Sequence, residues 1–292
     1  MISDLEQIYS VSIKSQKKSA IRELLKLTQR PEIISFAGGY LANAPGGGAF
    51  TYGSNTLASG GWSVAFGGEN NATGNNSFVG GWSSVASGGG AFAYGAHVKA
   101  SGDWSVAFGH DSVASGFLSF AGGWHSDATE SGAFAFGTRA QALAGSTFSI
   151  GYESTASAWG SIAMGTGSIS DNIHAVAIGE GAEAHGWASY ALGYKAIANG
   201  HRSFVTGVFN NADALHVAVF GKYNVGGGTF DQWIGTDPIF EIGIGPGDQN
   251  ADGDTDDPGE RENAVTVYKD GFVDIKKIFP GGDIVMGTFT QE

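Results

Sequence analysis

The densest run of oxygen-bearing side chains in this 292-residue chain is DQNADGDTDDPGE, residues 248–260. Asp248, Asn250, Asp252 and Asp254 alternate along it, with Gly253 at the point where a ligand loop must turn tightly. Hard cations take such oxygen sets, so the pattern matches the first half of a calcium loop. Glu260 arrives one residue later than a helix–loop–helix calcium site would place it, and no strong helical pattern flanks the run. A solvated acidic loop is the competing reading.

Other reactive side chains are dispersed. The seven histidines are His97, His110, His125, His174, His185, His201 and His216, and no pair has the i, i+4 spacing of a helical zinc site. They read as turn residues rather than ligands. Ser63, Ser77, Ser105, Ser119, Ser161, Ser189 and Ser203 recur at one place in a repeat. A catalytic serine is single and activated by a neighbouring base, so this regularity points to structural hydroxyl ladders. Glycine clusters such as GGEN and GGGAF lack the Lys-Ser/Thr of a phosphate loop. Tyr40, Trp82 and Trp124 fall at turns and form a candidate recognition row for sugar or protein, or a clasp on a neighbouring chain.

Composition narrows the classes. There are 49 Gly and 6 Pro, yet aromatics reach 12%, too many for a flexible linker. The net charge is −13, with six Lys/Arg against four Asp/Glu in residues 1–40 but four against fourteen in 226–292. No basic patch suits nucleic acid. With no Cys there is no disulfide framework. No apolar run is long enough to span a membrane as a helix, and the first residues lack the apolar core of a secretory signal.

What must position these residues is a period of 14. From Ala44 to Val225 the chain divides into thirteen blocks without insertion, among them ASGGWSVAFGGENN and ASGGGAFAYGAHVK. Position ten is always glycine: Gly53, Gly67, Gly81, Gly95, Gly109, Gly123, Gly137, Gly151, Gly165, Gly179, Gly193, Gly207 and Gly221. A 42-residue period overlies it, repeating Trp62 as Trp104 and Trp82 as Trp124. Stepping back 42 from Trp82 reaches Tyr40, so SFAGG at residues 35–39 is in phase with SFAGG at 119–123.

Glycine density opposes helix. Block cores such as SVAFG alternate small and large residues with the two-residue period of a strand. Positions seven and nine carry the bulk, and position eight is mostly alanine. The ASG or ATG opening of a block reads as a second short strand with its turn. Two short strands and two turns make one coil of a β-solenoid, and thirteen coils stack to about 60 Å. The position-ten glycines mark corners that need φ > 0 or the absence of a Cβ. So small a coil is expected to leave its alanine-lined face uncovered, to be buried against copies of itself in a closed oligomer.

SVAFG, SIAMG, AVAIG and SYALG at 14-residue spacing resemble the head repeats of YadA-type trimeric autotransporter adhesins. The resemblance spans residues 35–225. It implies an all-β, left-handed parallel β-roll solenoid, a homotrimer, no enzymatic activity, and multivalent attachment to a surface protein or glycan outside the cell. A tail-fibre shaft on a virion is the alternative. The signal, stalk and membrane anchor usual in that family are not visible in the sequence. Residues 1–34 read as a helical segment, and KSAIRELLKLTQRPEIISFAGG resembles the N-terminal arm of aminoadipate-type PLP-dependent aminotransferases. An enzyme of that kind needs a Schiff-base lysine in a large α/β domain. The repeat offers only Lys99, Lys195 and Lys222, at turn-like positions, so no catalytic residue carries over. Residues 226–292 read as a small β cap holding the acidic loop.

Overall fold

The computed structural model describes residues 35–247 and 259–276. The N-terminal segment read as helical and most of the acidic loop lie outside them. All named elements among the described residues are strands, arranged in one 17-stranded and one 12-stranded sheet. No helix there is long and apolar enough to cross a membrane.

Each coil contributes one strand to each sheet. The longer strands occupy positions seven to eleven, as in Val64–Gly68, Phe78–Trp82 and Phe92–Ala96. Within the repeat each pairs in parallel with the strand 14 residues on, as Val106↔Phe120 and Gly109↔Gly123 illustrate. The shorter strands have two residues, such as Val85–Ala86 and Val113–Ala114. They straddle the block boundary at positions fourteen and one, whereas the sequence pattern places the second strand within the opening triplet. The ladder begins early: Phe36–Gly38 pairs with the strand Phe50–Ser54 in the same 14-residue register, so the first SFAGG is a coil of the solenoid.

Alternation along the long strand sets what is inside. Position-eight residues such as Ala65, Ala93 and Ala107 are 0% exposed, as are position-one residues Ala58, Ala72 and Ala86. The interior between the two sheets is narrow and is filled by small side chains, mostly alanine with Val79, Val205 and Val219 at position eight. The bulky residues at positions seven and nine consequently point outward: Phe50, Tyr52, Phe92 and Tyr94 are exposed. This reverses the expected face. Alanine lines the coil's own core, and the surface left uncovered is aromatic.

The corner glycines are constrained twice. Their φ values run from 94° to 143°, a region closed to most L side chains. A Cβ on any of the thirteen would also stand 1.8 to 2.3 Å from the carbonyl oxygen of the corner glycine one rung on, Gly243 of the cap serving Gly221. At Gly81, Gly95, Gly123 and Gly137 that carbonyl takes a hydrogen bond from position thirteen of the preceding coil. Ser84 Oγ donates to Gly95 at 3.1 Å, Ser112 Oγ to Gly123 at 3.2 Å and Ser126 Oγ to Gly137 at 2.7 Å. Asn70 Nδ2 does the same to Gly81 at 2.8 Å, while its Oδ1 accepts from the Ser84 amide. These side chains occupy the acceptors that a sharply turned backbone cannot pair for itself.

The solenoid is closed by a change of strand direction. After a longer step, Pro238–Ile244 still stacks in parallel on Ala218–Lys222, with Gly221 opposite Gly243. Asn263–Tyr268 and Val273–Ile275 then add antiparallel strands. Glu241 takes the inward register opposite Val219 and is buried. Its carboxylate accepts from Asn224 Nδ2 and, at 2.7 Å, from Asn263 Nδ2. Desolvation raises its pKa above the ordinary carboxylate value, outweighing the hydrogen bonds from Asn224 and Asn263.

Candidate functional site

The most extensive feature is the outward face of the long sheet. Position-seven rings stack directly: Phe78 on Phe92 with centroids 5.0 Å apart, Phe120 on Phe134 at 4.6 Å and Phe134 on Phe148 at 4.7 Å. At position nine the rings skip a coil. Phe66 approaches Tyr94 at 6.2 Å across Gly80, and Phe108 approaches Phe136 at 6.1 Å across Gly122. A Cβ on Gly80 or Gly122 would meet a ring carbon at 2.7 Å. The glycine preceding the corner in GGW is therefore a slot for neighbouring rings. From Phe36 to Phe220 this face presents an apolar strip along the rod.

The candidate recognition residues Tyr40, Trp82 and Trp124 are all exposed and occupy one column, at position eleven. The structure does not bring them together. Trp82 lies between Gly68 and Ala96, and Trp124 between His110 and Thr138, so three coils, about 14 Å, separate successive rings. A second pair of tryptophans is more exposed. Trp62 and Trp104, at position five, have φ of 57° and 58° and are 72% and 61% exposed. Their rings lie against the glycines of the preceding coil, Gly48 and Gly90, where a Cβ would come within 2.7 and 2.6 Å. The left-handed backbone belongs to position five of the repeat, where Asn76, Leu118 and His174 adopt it too; what sets Trp62 and Trp104 apart is a large ring displayed to solvent there. Their 42-residue spacing shows in the sequence; the left-handed turn that displays them does not.

The repeated serines are buried, and where bonded they serve their own turn. Ser63, Ser77 and Ser119 each donate to the carbonyl three residues back at 2.7 Å. These are turn hydroxyls rather than a ladder between coils, and burial removes them from nucleophilic chemistry. Of the lysines, Lys195 lies 5.0 Å from the Phe209 ring centroid, while Lys99 and Lys222 are exposed.

The histidines divide into two kinds. His174 packs edge-on to Trp159 at 4.8 Å, and His201 to Phe230 at 5.5 Å. His185 is held between carboxylates, with Nδ1 2.9 Å from Asp171 Oδ2 and Nε2 3.0 Å from Glu183 Oε2. His97, His110 and His125, by contrast, gather on one flank. Of the calcium-loop candidates, Asp248, Asn250, Asp252 and Asp254 lie outside the described residues, and Glu260 is described and buried.

Comparison with known families agrees with this geometry. The model of the YadA head domain repeat (2 copies) matches residues 58–84, 100–126, 142–168 and 188–209. The first three matches begin at position-one residues Ala58, Ala100 and Ala142, in step with the 42-residue period. The chain carries YadA-type head repeats. No curated protein matches it.

Proposed function

We propose that the solenoid is a non-enzymatic adhesin head, assembled as a homotrimer and displayed at a cell surface for multivalent attachment. The aromatic strip at positions seven and nine is the observation that supports it. Interior alanines contribute little: burying one methyl or methylene gives only about 0.8 kcal/mol. Most of the apolar area of each coil instead sits outside, at residues such as Phe92 and Tyr94, the latter 49% exposed. Beyond the stacking within one chain, that area stabilises the rod further when sister chains cover it, and closed symmetry covers it with a discrete assembly. The flanks away from the strip then display three copies of Trp62 and Trp104, so that weak contacts add through avidity.

The test combines mass in solution with binding to immobilised matrix proteins and glycans. A three-chain mass with binding lost in the paired Trp62→Asn and Trp104→Asn variant supports the proposal. Asn tolerates the left-handed backbone at both positions, so the variant keeps the fold. A trimer that binds no surface would instead fit a purely structural shaft, and a stable monomer would overturn the assembly.

A further inference from the structure

Three coils bring imidazoles and a carboxylate together on one flank of the rod. Position twelve carries His97, Asp111 and His125 on successive coils, and His110 stands beside Asp111 at position eleven. His110 Nδ1 lies 2.6 Å from Asp111 Oδ2, and His125 Nε2 lies 3.5 Å from the same oxygen. One ligand atom from each of His110, Asp111 and His125 falls within 4.8 Å of the others. The His97 ring is next in the stack, 5.9 Å from that of His110, and the Trp124 ring covers His125 at 4.8 Å.

We propose that His110, Asp111 and His125 bind a divalent transition-metal ion of the zinc, nickel or copper class. Two imidazole nitrogens and one carboxylate oxygen form a borderline-soft donor set that suits these ions and not calcium or magnesium. The backbone supplies the preorganisation. Asp111 and His125 are both fixed at left-handed turns, with φ of 53° and 54°, and the parallel ladder fixes their separation at one coil. Small rotations of exposed side chains replace the His–Asp contacts by bonds to a shared ion. Three protein ligands leave a fourth position to water or to a donor from a bound surface. The site lies on one chain and needs no sister chain, so it stands apart from the proposed assembly.

Zinc chloride titrated calorimetrically into the whole chain tests it, with millimolar calcium present to occupy acidic oxygen sites. One strong zinc site per chain is expected, together with shifted ring resonances of His110 and His125 and an unshifted His185. His110→Asn with His125→Asn should weaken zinc at least tenfold. Both side chains are exposed, and Asn suits the left-handed turn at residue 125, so the double variant keeps the solenoid. His174→Asn, on another part of the rod, should leave affinity unchanged. Absence of zinc binding by the parent, equal binding by the double variant, or zinc shifts confined to other histidines would each overturn the site.

Discussion

Gly109 lies so close under Gly123 that a Cβ on the first would stand 2.0 Å from the carbonyl oxygen of the second. The backbone at Gly109 also has a φ of 105°. Neither constraint can be relieved by a rotamer, because both partners are main chain. Gly109→Ala should therefore cost about 3 kcal/mol or more, beyond the 1–3 kcal/mol of an unfavourable backbone region alone. Gly47→Ala, where a Cβ would find nothing within 4 Å, is the control and should change stability little. Urea unfolding of the two variants checks the difference.

The aromatic strip predicts its own disruption. Phe92→Glu combined with Tyr94→Lys places charges where sister chains would close over stacked rings. The solution mass should fall from three chains towards one, while far-ultraviolet circular dichroism keeps its β signature. Trp62→Asn should leave the mass unchanged.

His185 gives a pH dependence with a definite sign. Burial pushes its pKa down, but hydrogen bonds to Glu183 and Asp171, with their charges, outweigh this and leave it above the ordinary imidazole value. The folded state therefore favours the protonated ring. Its contribution is fully present below the unfolded value of about 6.5 and fades as pH rises through the folded-state value. The melting temperature of the parent relative to His185→Gln should be highest near about pH 5.5, with the difference shrinking under alkaline conditions.

At the far end, Glu241 holds the amide groups of Asn224 and Asn263 under the closing strands. Glu241→Ala leaves both donors buried without that acceptor, at a cost of about 2 kcal/mol or more. Loss should be local. Hydrogen exchange is expected to quicken across Asn263–Tyr268 and Val273–Ile275 before the central coils change.

Much of the architecture was legible in the sequence because a solenoid writes its geometry as a period. The 14-residue spacing gives coil size and stacking register, and phase alone assigns Phe36–Gly38 to the ladder. Alternation cannot by itself say which side faces inward. Ala65 and Phe66 exchange their expected environments because the space between the sheets admits one and not the other. The closeness of His110 and His125 is hidden for a related reason: they stand 15 residues apart, one coil plus one step, and a search at helical spacing passes over the pair. The role of position thirteen, filled by Asn70, Ser84 and Ser112, emerges only when each side chain is seen against the next coil's corner carbonyl.

Because every joint between neighbouring coils reuses the same contacts, the molecule behaves as a ruler marked in one unit. Deleting or duplicating a 14-residue segment of DNA-encoded chain would shorten or extend its reach by about 4.8 Å and reconstitute an equivalent seam. An insertion of any other length has to be looped out at a corner, as the longer passage from Ala218 to Phe240 already is. Reach is thus open to change by simple genetic slippage, while the surface chemistry of each unit varies independently.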